Sequence, residues 1–218
     1  MTGGPHRPAD DQAPLELLER ALAHARGALV EVRPHHLDRR TPCARWDLDA
    51  LLDHMDDALD AFAGGAFGDV ALTPVPASCG GPADDGHVRA RVAGLQAKAC
   101  TLLGAWSAPG RPVTVTVGDH ALPVDVVAAA AALEITVHAW DVDRATGRDR
   151  PVPADLARRL LPFAHVLVDA GGRGSRFGEV VATGPDADPE ARLLAWTGRR
   201  TGRLPGRPSH GGPRPADA

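Results

Sequence analysis

The sequence has no asparagine and no tyrosine, and aromatic residues make up only 4% of its 218 residues. With so few rings available, leucine, valine and alanine must fill any interior, and alanine-rich interiors suit closely approaching helices. Lysine is nearly missing: Lys98 stands alone within a Lys and Arg total of 24. Heavy use of Ala, Arg, Gly, Pro and Asp reads as the imprint of a GC-rich genome, so arginine abundance carries no argument about a ligand. Cysteine is scarce. Cys43, Cys79 and Cys100 lack any close CxxC spacing, which excludes a disulfide framework and a cysteine-type zinc site. Positive charge is not in excess, the formal net charge being −4, and this excludes the basic stripe of a nucleic-acid binder. No run approaches the ~20 apolar residues of a membrane span, and residues 1–11 hold no apolar signal core. The expectation is a reduced, soluble, cytoplasmic chain without nucleic-acid or membrane partners.

What is present is a 44% apolar content, enough for one packed domain. Residues 1–12 read as a disordered tail. Apolar residues at helical spacing predict a first helix from Pro14 to about Val32, ended by Pro34. A second helix is expected at about 47–64, capped by Asp47 and stopped by Gly64 and Gly65. Leu48, Leu51, Leu52, Met55, Leu59 and Phe62 form its apolar stripe. Asp53, Asp56, Asp57 and Asp60 lie mostly opposite, and His54 sits on the flank of the stripe. Residues 68–82 read as a loop, followed by a third helix from Pro82 or Asp84 to Trp106. Val113, Val115 and Val117 alternate with Thr114 and Thr116 before a Gly-Asp turn, the pattern of a short strand or hairpin. A fourth helix is expected from about 123 to 145, with Gly147 as its stop, and a fifth at about 153–170, stopped by Gly171 and Gly172. A loop and a short helix follow. The Pro/Gly/Arg-rich segment 199–218 should be disordered. The fold class is therefore all-α, a four-helix bundle with a short β-hairpin insertion. Its domain spans 13–198, with a tail at each end.

The fourth helix, VDVVAAAAALEITVHAWDVDRA, is apolar nearly all round and so reads as a core helix. Glu134 and His138 stand inside it at i and i+4, on one face. A carboxylate in such surroundings needs a cation, a partner or a shifted pKa. Asp141 continues the stripe one turn later, among Val127, Ala130, Ala131 and Ala145. Ionisable side chains among small ones suggest room for an ion and a ligand. An ordinary ion pair is the plain alternative, because E-x-x-x-H is common in helices. A metal needs a third ligand from another element. His54 is one candidate, and His35 and His36 in a Pro-bounded loop compete with it. His87, His120, His165 and His210 have no evident companions. Two histidines and a carboxylate leave a coordination position open, as in catalytic zinc sites, and also suit non-haem iron(II). Asp141 would orient His138 or stand as a plain surface carboxylate. Cys43 reads as a small apolar core residue, with a redox or catalytic thiol as the alternative.

Two segments resemble a known family. TPCARWDLDALLDHM is similar to the TPC-x-x-W…LL-x-H element of the DinB-like, mycothiol-dependent maleylpyruvate isomerase N-terminal family. LEITVHAWDVDRATG is similar to its E-x-x-x-H-x-W-D-x-x-x-A-T-G element. RFG at 176–178 and LLAWTGR at 193–199 resemble the C-terminal end of its short actinobacterial members. The resemblance spans roughly 15–200. It implies a four-helix bundle holding a divalent metal, usually zinc, through His54, Glu134 and His138, with mycothiol as a possible cosubstrate. The isomerase carries a further C-terminal domain that has no counterpart here, so its substrate-anchoring residues do not transfer.

Three functions follow as expectations. In the first, the metal holds a low-molecular-weight thiol as thiolate for attack on a small-molecule electrophile, making an S-transferase or isomerase, with Arg144, Arg173 or Arg176 as anchors for an anionic substrate. In the second, the chain is a non-catalytic metal-binding or stress-related protein. In the third, it is a thiol-independent hydrolase using a metal-activated water, with Asp141 as catalytic base.

Overall fold

The computed structural model describes residues 8–43, 46–70, 84–168, 173 and 177–201, with side chains from residue 14 onward. The tail residues 1–7 and 202–218, Cys79, Gly171, Gly172, Arg176 and His210 lie outside the described residues. Six α-helices and a small sheet run in the order α1 (Pro8–Leu29), α2 (Leu48–Gly65), β1 (Asp69–Val70), α3 (Asp85–Ser107), β2 (Thr114–Val117), β3 (His120–Pro123), α4 (Val124–Thr146), α5 (Ala154–Leu167) and α6 (Pro189–Trp196). A 3-10 turn, Pro34–His36, follows α1.

Local chemistry accounts for most of the boundaries. The carboxylates of Asp47, Asp84 and Asp188 accept from the backbone N–H of Ala50, His87 and Ala191. Each satisfies a first-turn donor that has no partner inside its helix. Gly147 ends α4 in the left-handed region, at φ 86°, where a Cβ is disfavoured. α1 begins at Pro8 and carries Pro14 inside it, so it extends into the segment 1–12 expected to be a tail.

α4 is the central rod. It packs most extensively on α1 and also touches α2 and α5, while α2 packs on α3. Ala21, Ala25 and Ala28 of α1 and Ala128, Ala131 and Ala132 of α4 are all buried. These alanines let the two backbones approach closely. Ala131 and Ala145, which share the stripe with Glu134 and His138, are packed into the core.

The acidic face of α2 is neutralised by α3. Arg91 pairs with Asp49 and Asp53, and Lys98 reaches Asp56 at 2.5 Å and Asp60 at 2.6 Å. Trp106, fully buried, donates from Nε1 to the Phe62 carbonyl at 2.8 Å, fixing the far ends of the same helices.

The sheet adds a strand to the expected hairpin. β2 and β3 pair antiparallel, with Val115 opposite Leu122, and β1 joins β2 in parallel. β1 lies at the start of the segment expected to be loop. α5 packs on α4, and α6 packs on α5.

Candidate metal centre

α2 supplies His54, and α4 supplies Glu134 and His138. One ligand atom from each lies within 4.8 Å of the others. His54 Nε2 is 2.8 Å and His138 Nε2 3.1 Å from the same oxygen, Glu134 Oε1. Zinc ligands at ~2.0–2.2 Å from a tetrahedral centre stand roughly 3.3 Å apart. Both histidine nitrogens thus stand near that spacing from the same carboxylate oxygen, and two imidazoles with one carboxylate are a donor set that suits a divalent ion.

The TPC segment explains how His54 is held. The Thr41 hydroxyl lies within hydrogen-bonding distance of the carbonyls of Cys43, 2.9 Å, and Trp46, 2.8 Å, and the Trp46 N–H donates to the Cys43 carbonyl at 3.1 Å. This tight turn lays the Trp46 ring on the His54 ring at 4.3 Å between centroids and 30° between planes. Cys43 is buried in the turn, as expected of a small apolar residue.

Behind His138 stands a buried relay. His138 Nδ1 lies 3.0 Å from Asp141 Oδ2, and Arg199 donates to the same oxygen from Nη2 at 2.9 Å. Asp141 is 0% and Arg199 3% exposed. Gly198 delivers the arginine. Its φ is +82°, and a Cβ there would stand 2.5 Å from Gly178 Cα, so both the turn and the close backbone approach require glycine.

The electrostatics follow from this geometry. Burial alone would raise the Glu134 carboxyl, but His138 and His54 outweigh it and hold it well below the usual range. Burial alone would lower His138, yet Glu134 and Asp141 raise it to about 9. Asp141 is lowered despite its burial because Arg199 and His138 stand against it. Without an ion, the centre is thus a hydrogen-bonded charge cluster around Glu134.

Glu134 keeps 24% of its side chain exposed, so it is not sealed in the core as its surroundings on α4 suggest. It opens onto a cavity of about 430 Å³ between α1, α2, α3 and α4. Glu134, Ile135 and His138 form one wall, and Leu22, Leu29, Met55, Leu59, Leu95 and Leu103 make up much of the rest.

The competing candidates lie elsewhere. His36 accepts the Arg33 N–H at 3.2 Å and packs edge-on against His35. Neither joins the cluster. His165 packs on Trp196. Arg144 stacks on Trp140 and pairs with Asp149, while Arg173 stacks on Trp196 and donates to the carbonyls of Gly178 and Trp196. Both side chains thus have partners within the protein. Asp141 does not line the cavity, and one of its oxygens serves both His138 and Arg199. The segment 199–218 expected to be a tail begins with the buried Arg199, a correction that the motif LLAWTGR, which includes this residue, already contained.

The solved crystal structure of the mycothiol-dependent maleylpyruvate isomerase superposes with a TM-score of 0.53 over 78% of this chain and 74% of that chain, at 16% identity. The chain therefore has the helix-bundle fold of that structure. Uncharacterized proteins from two strains of Mycobacterium tuberculosis are 29% identical to it over 191 residues, covering 85% of this chain and 97% of theirs. No protein-family model matches the chain. Among the described residues, no helix is long and apolar enough to cross a membrane.

Proposed function

We propose that the chain is a divalent-metal-dependent thiol enzyme, an S-transferase or isomerase, with His54, Glu134 and His138 as metal ligands and mycothiol as its thiol. The observation that carries this reading is the convergence of three ligand atoms from two helices on one point, beside a cavity large enough for an organic substrate. The fold shared with the mycothiol-dependent isomerase supports the choice of thiol. Zinc fits the donor set, and a cytoplasmic setting fits a reduced thiol as partner.

A divalent ion held by these residues supplies Lewis acidity that keeps a thiol ionised near neutral pH. The chain's own residues do the rest. Asp141, backed by Arg199, takes the Nδ1 proton of His138 as a hydrogen bond and so turns Nε2 toward the centre. Trp46 fixes the His54 ring. Glu134 offers a carboxylate that is already ionised. The apolar cavity wall excludes water from the electrophile. In a transferase, the thiol sulfur joins an electrophilic carbon while a leaving group takes the bonding electrons. In an isomerase, sulfur adds to a conjugated double bond, the new single bond rotates, and elimination returns the thiol.

Elemental analysis of the purified chain tests the centre: about one equivalent of divalent metal is expected, falling sharply in Glu134→Gln. Calorimetric titration of the loaded protein with mycothiol tests the thiol. Full metal occupancy in the variant would refute the ligand set, and no heat at millimolar thiol would refute the thiol reading and leave a metal-binding protein without turnover.

A further inference from the structure

The cavity beside the centre has a chemical character that its neighbouring charges do not foretell. Its exposed lining residues are Glu19, Ala23 and Arg26 on α1 and Ala97 and Cys100 on α3, so its mouth opens between these two helices. Inward from the mouth the lining is aliphatic apart from Met55 and the half-buried Gln96, up to the wall that carries Glu134 and His138. Arg26 is the single lysine or arginine among the lining residues, against two acids, Glu19 and Glu134. It stands at the wet rim, two helical turns from Glu19 on the same face.

We propose that this cavity receives the organic substrate and that the substrate is an uncharged, apolar electrophile, not a small dicarboxylate. The assignment of a substrate to the cavity rests on the thiol-enzyme reading above. The class of ligand rests on the lining itself. Only His138 and an ion at the centre could offset a carboxylate here, and in the thiol-enzyme reading above the thiol sulfur takes that place; the rest of a dianion would shed its hydration against leucine and methionine side chains, and ionised groups do not enter such surroundings unpaired. An apolar molecule gains from the same walls by leaving water. The volume falls in the range of pockets that hold drug-sized ligands.

The test uses the full chain, both zinc-loaded and metal-stripped, with the neutral fluorophore N-phenyl-1-naphthylamine as probe. Saturable binding in both forms is expected. The neutral electrophile diethyl maleate should displace the probe, and maleate, the same skeleton as a dianion, should not do so at about a hundredfold higher concentration. Ala99→Phe, which fills the cavity from α3, should weaken probe binding by about tenfold or more. Ala23→Trp, at the exposed mouth on α1, should act in the same direction even if the first variant folds poorly. Displacement by maleate as effective as by its diester overturns the proposal, as does unchanged probe binding in a folded sample of both variants. The probe needs neither metal nor thiol, so a chain that binds it but holds no metal or mycothiol refutes the enzyme reading while upholding the ligand class.

Discussion

Replacing Arg199 with methionine keeps a side chain of similar length in the same buried slot and removes only the guanidinium that faces Asp141. In the native protein, Asp141 is fully buried, with Arg199 at 2.9 Å and His138 at 3.0 Å from the same oxygen. Removing one member of a buried pair leaves an uncompensated charge, at a cost of about 3–5 kcal/mol. For a domain of this size each kcal/mol moves the melting temperature by about 2–4 °C, so a fall of roughly 6–20 °C is expected in calorimetry. The double variant Arg199→Met with Asp141→Leu removes both charges and should recover much of that loss, because an apolar pair of similar volume suits the site as well as an ion pair does. It should not recover metal affinity. Without Asp141 the His138 Nδ1–H has no acceptor, and loss of such a partner weakens a metal by about 10–100-fold. The reasoning fails if the single variant melts within about 2–4 °C of the native chain, or if the double variant is no more stable than the single.

Further expectations concern the ligands, the loops and pH. His54→Ala should abolish stoichiometric metal binding in equilibrium dialysis with little change in helix content, since His54 is partly exposed; retention of a full equivalent refutes its role. Gly198→Ala forces both a disfavoured φ and a clash with the Gly178 backbone, which should cost on the order of 1–3 kcal/mol and weaken metal binding, because Arg199 is displaced. Stability should fall in acid through His24. Burial, and then Arg150, lower this imidazole from 6.5 to about 4, so the unfolded chain gains the proton first as pH drops. The contribution is complete above 6.5 and is lost toward 4. The difference of about 2.5 units, at 1.36 kcal/mol each, sets a ceiling of about 3 kcal/mol. His24→Gln should flatten the denaturant midpoint against pH in that window, leaving the similar share of His36, also lowered to about 4; an unchanged slope refutes the assignment.

Much of this arrangement could be read from residues. Glu134 and His138 meet because i and i+4 share a helix face, and the caps at Asp47 and Asp84 fall where a carboxylate precedes an apolar run. The meeting of His54 with α4 is long-range, and helical spacing alone left His35 and His36 as rivals; the paired motifs favoured His54. Arg199 was hidden because a single arginine inside a Pro/Gly/Arg-rich stretch looks like all the solvated ones, and only its partner, 58 residues away, marks it out. The cavity does fall beside Glu134 and His138, although Ala131 and Ala145 of the same stripe pack into the core instead of lining it. Alanines on a helix signal a near neighbour as readily as an empty space, and α1 occupies that position. β1 is two residues long, too short for any alternation to register.

The relay from Arg199 to His138 has a consequence for the order in which the protein is made. Translation delivers α1 through α4, and with them all three residues of the candidate centre, well before residue 199 emerges. Until then Asp141 has His138 but lacks its guanidinium, so burying its carboxylate costs more than in the finished protein. Arrival of the Gly198–Arg199 turn relieves this. The centre should therefore close fully only after the segment following α6 has been synthesised, and a ribosome-stalled fragment ending before residue 198 should hold metal more loosely than the finished protein.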